Sequence, residues 1–547
     1  MTVEGISRRG LLGGVAAVAI AGAAGCGADD RAEQLGTTGA DQLRRALPQY
    51  RPGQSIKPDI PGVAGTHGAA SDPAFLQYPA DPVATVSGPP GSGGTYSTRT
   101  PLWGAIPPSN GNSYYDAVNA ALGATLTMQP ADGNSYVETL PPLFASDRLP
   151  DWTQIPSWAN QKLNMGSAVE RFADLTPYLA GDKIAKYPNL AAIPTAAWQA
   201  GVWNGKLYGI PSYSSPNNFP GYLFYRRDLV DARVRSADDL LSLGRELTDA
   251  KAGRWAFDDL WPFLLFPFRV VSTWNADPSG KLLHQYELPE MTEALSFAAK
   301  LAQAGYVHPD ALAGNTGNGQ QRFWAGKVAI SAGGTGAMDG DDAKGGTAAN
   351  PGYDRQLFDV FDATGGTPLI QLGPGSGWFS YLNRNLSAAQ VQECLAIANF
   401  LAAPYGSKEF LLVNFGASGL DHTISAGNPV LTERGAKDVA TSFQFLASGP
   451  QVTLVKNGFT QVAKDYAAWQ ARAVKCAVKP MFFAMNVTEP AQYASIGQQV
   501  DDTMKDVRTG RQPISAFTDA VNAWRKQGGD EMRKFYEGIR DKNGTGQ

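Results

Sequence analysis

The stretch WQAGVWNGKLYGIPSYSSPNNFPGYLFYRRDLVD, residues 198–231, decides the fold that we predict for this chain. Asn204-Gly205-Lys206 suits a tight turn, because glycine adopts a positive φ without steric penalty. Pro211 has no backbone N–H, so it stops strand pairing and gives the chain a stiff exit from a sheet. The stretch therefore predicts a tight turn, then a strand that ends at Pro211, with a loop beyond it.

Strands and helices alternate in the chain before this stretch. Runs such as ATLTMQPA predict strands, and SYYDAVNAALG has apolar residues at helical spacing. Alternation of this kind is typical of βαβ units, which build a parallel sheet, so we predict an α/β fold that begins near Arg99. The predicted strands cover residues 99–106, 124–131 and 151–158, and the predicted helices cover 113–123 and 133–150.

Composition and motifs exclude several classes of function. The 547-residue chain is 43% hydrophobic and 18% charged, as globular proteins are, and its net charge of -4 argues against a nucleic-acid partner. The sequence contains no GxSxG, HExxH, P-loop or dinucleotide-binding motif. Its 4 histidines are isolated from one another in the sequence. We therefore predict no catalytic residue, no metal site and no cofactor.

The first 26 residues carry the features of an export signal. Arg8 and Arg9 precede a short apolar run, and SRRGLL resembles the twin-arginine export motif. Ala23-Ala24-Gly25-Cys26 resembles a bacterial lipobox, so we predict a lipoprotein signal over residues 1–26 and lipidation of Cys26. Ordinary cleavage near Ala24, which would release a free secreted protein, is the alternative. Residues 27–98 are rich in Gly and Pro, and we predict that they form a tether.

Residues 198–231 resemble the signature region of bacterial extracellular solute-binding proteins of ABC importers, of the maltose-binding class. Further segments resemble that family in the same order along the chain. FGASGLDHTI and the terminal TGRQPISAFTDAVNAWRKQGGDEMRKFYEG resemble a long lipoprotein subfamily that binds oligosaccharides such as aldouronates. The other matching segments are NMGSAVERFADLTPYL, PSGKLLHQYELPEMTEALSFAAKLAQAGYVHPD and RFWAGKVAIS.

The resemblance implies a two-lobe fold of the periplasmic-binding-protein type II class, with a ligand cleft between the lobes. Chain crossovers join the lobes, and the resemblance places them near Ile210–Asn217, near Ile330–Thr335 and within residues 428–445. The implied N-lobe contains residues 99–212 and 332–430, and the implied C-lobe contains residues 213–331 and 431–540.

The resemblance also implies a sugar ligand, whose apolar faces would stack on aromatic rings while polar groups bind its hydroxyls. The chain has 12 Trp, 20 Tyr and 24 Phe, and core packing is the alternative role for each ring. At the implied lobe boundary, the backbone of a glycine-rich segment can approach a ligand closely. The residues predicted to bind ligand are Trp158, Tyr213, Ser214, Asn217, Trp261, Trp274, Gly334, Thr335, Trp378, Phe482 and Phe483.

Two smaller features of the sequence have competing interpretations. Asn275–Gly280 imitates half of a calcium loop, but the closing glutamate falls one residue late at Glu287, so we favour a plain turn. Cys394 and Cys476 lie in helical segments and are predicted to be buried thiols, although a disulfide is allowed outside the cytoplasm.

We predict that the protein is the lipid-anchored, extracytoplasmic binding subunit of an ABC importer. The predicted partners are an oligosaccharide, the permease subunits and the membrane, which it contacts through the N-terminal lipid. We predict a monomer that catalyses no reaction. One alternative is a secreted lyase or hydrolase, for which Asp258 and Asp259 are candidate carboxylates. Another is an envelope sensor that reuses the binding fold.

Overall fold

The structure is a computed structural model that describes residues 36–53, 56–146, 148–231 and 233–547. The predicted export signal, with Arg8, Arg9 and Cys26, lies outside the described residues. Two larger β-sheets organise the described chain, and each is covered by its own hydrophobic core. The prediction of an α/β protein with two lobes is therefore confirmed, and each sheet is the centre of one lobe.

The first lobe is built on a 5-stranded sheet and the second on a 4-stranded sheet. In chain order, their strands are β1 Thr95–Leu102, β2 Thr125–Asp132, β3 Trp152–Pro156, β4 Gly209–Ser212, β5 Tyr222–Arg226, β6 Trp255–Phe257, β7 Val328–Gly333, β8 Arg355–Leu357 and β9 Trp378–Leu382. The first sheet has the order β2-β1-β3-β9-β4, and the second has the order β6-β7-β5-β8.

Strand direction decides where the loops of the first lobe meet. β1 runs parallel to β2 and β3, as the βαβ pattern predicts. β9 runs antiparallel to both β3 and β4. The carboxyl ends of β1, β3 and β4 and the amino end of β9 therefore lie at one edge of the sheet, and in α/β sheets that edge is the usual place for a ligand.

Helices cover both sheets, and their ends follow from local chemistry. The helix after β1 begins where the Asn112 side chain accepts a hydrogen bond from the Tyr115 amide, and it ends at Gly123, whose φ is 63°. The longer helices are α1 Ala40–Ala46, α2 Ser113–Leu122, α3 Tyr136–Ala145, α4 Ala237–Leu247, α5 Pro289–Gln303, α6 Gly340–Ala349, α7 Ala388–Leu401, α8 Lys408–Phe415, α9 Thr460–Ala473, α10 Gln498–Arg508, α11 Ile514–Trp524 and α12 Asp530–Asn543.

Short strand pairs and single helical turns complete the fold. The pairs are Gly36–Thr37 with Val487–Thr488, Ala74–Phe75 with Thr453–Leu454, Val202–Trp203 with Lys206–Leu207, Trp274–Ala276 with Leu282–His284, Ile370–Gln371 with Ala477–Val478, and His422–Ser425 with Asn428–Leu431. The short helices are Met165–Ala168, Thr176–Leu179, Pro188–Ala191, Thr195–Trp198, Trp261–Leu264, Pro309–Leu312, Gly319–Trp324 and Gly435–Asp438. Within the described residues, no helix is long and apolar enough to cross a bilayer.

Two of the three predicted crossovers lie later in the chain than the sequence indicated. The first crossover joins β4 to β5, so it overlaps the predicted position. The predicted crossover near Ile330–Thr335 is wrong, because β7 and β8 both pair with β5 in the second sheet. The chain returns to the first sheet only between β8 and β9, so the first part of 332–430 belongs to the second lobe.

The third crossover also differs from the prediction of residues 428–445. Phe443, Leu446 and Ala447 are still buried in the core of the first lobe. Trp469 on α9 is the next large side chain in the core of the second lobe. The chain therefore changes lobes after Ala447, later than predicted. The segment that follows pairs with residues near the N-terminus, Thr453–Leu454 with Ala74–Phe75, and no sequence periodicity reveals this pairing.

The predicted tether is wrong for the described residues of 36–94, which we call the strap. The strap packs onto both lobes instead of extending away from them. Ala46 and Leu47 are buried in the first-lobe core, Phe75 stacks on Tyr405 with ring centroids 4.2 Å apart, and Thr66 donates a hydrogen bond to the Ala477 carbonyl over 2.6 Å. Because hydrogen bonds to the lobes satisfy backbone groups of the strap, it needs few helices or strands of its own. The first strand of the sheet, β1, begins after it, at Thr95.

Cys394 and Cys476, the cysteines among the described residues, lie in different lobes. Cys394 is buried in the first-lobe core, and Cys476 is half-buried against the second-lobe core. Both are free thiols, and burial raises the pKa of each above its ordinary value. Their environments fit the predicted role of small apolar side chains.

Candidate ligand-binding site

An aromatic cluster lies at the ligand edge of the first sheet. It consists of Trp103, Trp158, Tyr213, Trp378 and Phe445. Trp378 is central, with its ring centroid 4.5 Å from Trp158 and 5.7 Å from Trp103. Both neighbouring indoles stand nearly perpendicular to it, at 83° and 87°. Phe445 lies 5.1 Å from Trp378 and 5.0 Å from Tyr213.

The order of the strands explains why residues so far apart in sequence meet here. Trp103 directly follows β1, Trp158 follows β3 and Tyr213 follows β4. Trp378 is the first residue of β9 and pairs with Pro156 and Ser212, the last residues of β3 and β4. The sheet therefore delivers four of the rings to one edge, and the first-lobe segment that precedes the third crossover adds Phe445.

The cluster presents apolar surface to solvent. Trp103 is 47% exposed and Trp158 is 58% exposed, whereas large aromatic side chains are usually mostly buried. Trp103 lies against Gly133, where a Cβ atom would collide with its indole ring. Exposed rings held by close packing are suited to stack on a flat apolar face of a ligand, because their orientation is already set.

Tyr213 is hydrogen-bonded to the segment that leads into the third crossover. Its backbone is left-handed, with φ of 50°, an uncommon conformation for a residue with a large side chain. Its amide donates to Ser448 Oγ over 2.7 Å, and its hydroxyl donates to Gln444 Oε1 over 3.0 Å. Two side chains of this segment therefore hold Tyr213 in place.

Charged residues of the second lobe lie near Tyr213. Lys456 Nζ is 3.2 Å from an Asp339 carboxylate oxygen and 3.1 Å from one of Asp341. Burial disfavours the charge of Lys456, but the two carboxylates outweigh it and raise its pKa above the ordinary value. Lys456 and Asp339 act on the pKa of Tyr213 in opposite directions, although burial is the main cause of its rise. The aromatic cluster of the first lobe thus has charged groups of the second lobe nearby.

The other residues predicted to line the cleft, Asn217, Thr335, Ser214 and Gly334, differ in their surroundings. Asn217 is buried, and its side-chain amide donates to the Ala70 carbonyl of the strap over 3.0 Å, so it holds the strap. Thr335 is buried, with its hydroxyl 3.4 Å from the Phe219 carbonyl. The hydroxyl of buried Ser214 has no hydrogen-bond partner among the described residues. A Cβ at Gly334 would be 3.8 Å from the Pro220 carbonyl oxygen, which leaves room there.

Two of the aromatic residues predicted to bind ligand lie in the hydrophobic core. Trp274 is only 2% exposed and packs between His284 and Tyr536, with ring centroids 5.1 Å and 5.0 Å away. Phe482 is buried against the same Tyr536 at 5.2 Å. The prediction that they bind ligand is wrong, because the hairpin after Trp274 and the C-terminal helices leave these rings no surface to offer.

Two further aromatic residues predicted to bind ligand pack within the second lobe. Trp261 lies between two core clusters, with the Arg508 guanidinium 5.7 Å from its ring centroid. Phe483 packs on the second-lobe core, with Lys479 Nζ 5.2 Å from its ring centroid. Neither ring is among the described ring contacts of the aromatic cluster.

Sequence reasoning missed two members of the cluster. Trp103 carried a usable signal, because it lies in the first predicted strand, residues 99–106, and Trp158 lies in the third. Phe445 carried none, because it lies in an irregular segment between Gly435–Asp438 and Thr453–Leu454. Only the tertiary structure shows that this segment returns to the first lobe.

The acidic residues considered from sequence have ordinary structural partners. One oxygen of Asp277 accepts hydrogen bonds from the Ser279 and Lys281 amides, as in the plain turn that we favoured. Asp258 forms a two-bond pair with Arg322 at 2.7 Å and 3.0 Å. Asp259 pairs with Arg508 at 2.9 Å. Each candidate carboxylate of the enzyme hypothesis is thus paired with an arginine.

Comparison with known proteins places the chain in a family. The family of bacterial extracellular solute-binding proteins matches residues 113–413, more than half of the chain. The chain belongs to this family, and the resemblance seen in its sequence is confirmed. Lipoprotein LipO of Bacillus subtilis (strain 168) is 21% identical over 474 residues, which cover 81% of this chain and 92% of that protein.

Solved structures of similar proteins share the fold. An N-glycan transport solute-binding protein of Streptococcus pneumoniae, in complex with Man1GlcNAc, is 16% identical with a TM-score of 0.56, and the match covers 82% of this chain and 99% of that one. A HMO-binding, ABC-transporter-associated protein of Bifidobacterium longum infantis is 13% identical with a TM-score of 0.57 and covers 82% and 99%. At these identities the likeness shows the two-lobe fold.

Proposed function

We propose that this protein is the oligosaccharide-binding subunit of an ABC importer and that ligand binds against the aromatic cluster. The observation that carries the proposal is the exposure of Trp103 and Trp158 beside Trp378, at the edge of the sheet where ligands bind. Three indoles at one site match the alternating apolar faces of linked sugar rings. Groups such as Asp339 and Lys456 near Tyr213 would serve the hydroxyls.

The relatives support a carbohydrate ligand. The similar structures include proteins in complex with Man1GlcNAc, with kestose and with cycloalternan. We extend this ligand class to the present chain because its exposed rings suit it. The protein itself makes or breaks no bond in this proposal, and the pairing of Asp258 and Asp259 with arginines favours no enzyme function.

Export and anchoring complete the proposal. Arg8 and Arg9 direct export, and a lipid on Cys26 holds the protein at the outer face of the cell membrane, as a monomer. The relative LipO is named as a lipoprotein, which supports this reading of the N-terminus. The permease subunits of the importer would receive the ligand from the two lobes.

Calorimetric titration with a panel of neutral and acidic oligosaccharides tests the ligand class. We expect at least one of them to bind, to raise the melting temperature and to quench tryptophan fluorescence, since a ligand of the native state stabilises it. Trp378→Ala should abolish the signal. Tyr50→Ala is the matched control, because Tyr50 is 49% exposed but lies in the strap. A panel without any binding up to millimolar concentration would refute the sugar proposal.

Detergent phase partition of cells that express the wild type and Cys26→Ser tests the anchor. The wild type should enter the detergent phase with a lipid mass on its N-terminal peptide, and the variant should remain in the aqueous phase. Identical partition of both proteins, without a lipid mass, would refute the anchor and leave the ligand proposal standing.

A further inference from the structure

Asp72 of the strap is a buried carboxylate at the junction of the two lobes. Its side chain is 4% exposed. Ser215 Oγ donates to its Oδ1 over 2.7 Å, and Gln470 Nε2 donates to its Oδ2 over 3.1 Å. The Gln470 side chain also accepts a hydrogen bond from the Asp72 amide over 3.0 Å. One carboxylate thus joins two side chains that are far apart in the sequence.

These two partners belong to different parts of the fold, the first crossover and a helix of the second lobe. Ser215 lies on the first crossover, two residues after Tyr213 of the aromatic cluster. Gln470 lies on α9, whose Trp469 is buried in the second-lobe core. The next residues of the strap, Ala74–Phe75, pair with Thr453–Leu454 within the third crossover. A change in the angle between the lobes would therefore stretch or break the bonds of Asp72.

We propose that Asp72 is a positioning residue for lobe closure, which clamps the first crossover to α9 and so sets the angle at which the lobes face each other. This inference rests on the proposed function, because a binding protein of this kind closes around its ligand. The strap is then a working part of the hinge. Asp72 acts on ligand only through Ser215 and the neighbouring Tyr213.

The environment of Asp72 makes the clamp sensitive to pH. Burial raises its pKa from 3.8 to about 6, against the opposing hydrogen bonds from Ser215, Gln470 and Asn217. These partners on the first crossover and α9 are neutral, and Tyr466 is the further titratable group of α9 that interacts with it. A loosened clamp that hydrates Asp72 would return its pKa towards 3.8. The clamped state is therefore favoured as pH falls through about 6 and weakened as pH rises.

Glu409, which binds another part of the same strap, offers a matched control. It is also a buried carboxylate, 5% exposed, and it accepts hydrogen bonds from the Thr85 amide and hydroxyl of the strap at 3.0 Å and 3.1 Å. It lies on α8 of the first lobe and bonds to the strap there, so its bonds stay within one lobe. Glu409→Gln should weaken the attachment of the strap without changing the angle between lobes.

Spin labels at Lys183 of the first lobe and Lys251 of the second, with Cys26, Cys394 and Cys476 all replaced by alanine, report the angle between the lobes without any ligand. We expect a narrower distance distribution at pH 5 than at pH 8 in the otherwise wild-type chain and in Glu409→Gln. Asp72→Asn, which stays neutral, should be narrow at both pH values. Asp72→Ala, which lacks the bonds, should be broad at both.

Two results would overturn the clamp. One is an Asp72→Asn or Asp72→Ala chain whose distances respond to pH as the wild type does. The other is a Glu409→Gln chain that loses the response. If Asp72→Ala does not fold, Asp72→Asn decides alone, with its melting temperature as the check. Because no ligand is present, a failed clamp would leave the sugar proposal standing, and a failed sugar panel would leave the distances informative.

Discussion

The aromatic cluster of the first lobe and the aromatic core around Trp274 contain the same residue types, but the first leaves rings exposed and the second buries them. In the cluster, the rings follow strand ends at one sheet edge and two indoles remain about half exposed. Around Trp274, a hairpin and the C-terminal helices close over Trp274, Tyr536 and Trp524. The comparison teaches that the role of an aromatic side chain depends on whether later segments of the chain cover it.

Trp274→Ala should produce the largest effect, and it should be on stability. Removing a buried Trp leaves a cavity, which costs about 3–5 kcal/mol of the free energy of unfolding. Chemical denaturation measures this loss, and the folded fraction of the variant should bind ligand as the wild type does. A loss of ligand affinity at unchanged stability would reverse the comparison.

The closed aromatic region should also respond to acid. Burial lowers the pKa of His284 from 6.5 to about 3, so the folded protein keeps it neutral while the unfolded chain takes a proton. Stability from this group is therefore complete above pH 6.5 and falls below it, by up to about 1.4 kcal/mol per pH unit. Melting curves from pH 7 to 4 should show a shallower decline for His284→Gln than for Trp158→Ala, which retains the histidine. Parallel declines would contradict this origin.

Trp158→Ala should affect binding and spare the fold. Its ring is 58% exposed, so the variant should lose under about 0.5 kcal/mol of stability. Loss of one stacking surface should weaken the affinity for a panel sugar about tenfold, or about 1.4 kcal/mol. Calorimetry and denaturation on the same preparation separate the two effects. Unchanged affinity would remove Trp158 from the site.

Gly133→Ala should give the smallest change. The new Cβ must push the Trp103 ring aside, because the two would otherwise overlap. Trp103 is about half exposed and can move, so stability should change little while affinity falls a few-fold. Trp103→Ala in the same background should add no further loss if the glycine acts through that ring, and an additive loss would show that it does not.

Part of the candidate site could be predicted from sequence. Trp158, Tyr213 and Trp378 are predicted from the family resemblance, Trp158 also because it follows a predicted strand, and the structure brings the three rings together. Trp274 and Phe482 are predicted from the same resemblance, yet helices far along the chain bury them. A local pattern shows that a ring leaves a strand but carries no information about what later packs on it.

The sequence by itself determined the α/β class and the strands that precede Trp158 and Tyr213, because periodicity and turn chemistry are local properties, and its resemblance to the family implied the two-lobe fold. The tertiary structure alone decided which strands are neighbours, where the second and third crossovers lie and that residues 36–94 strap the two lobes together. These depend on contacts such as that between Asp72 and Gln470, which are 398 positions apart. Contacts at such separations are set by the packing of the whole chain, and no local pattern of residues records them.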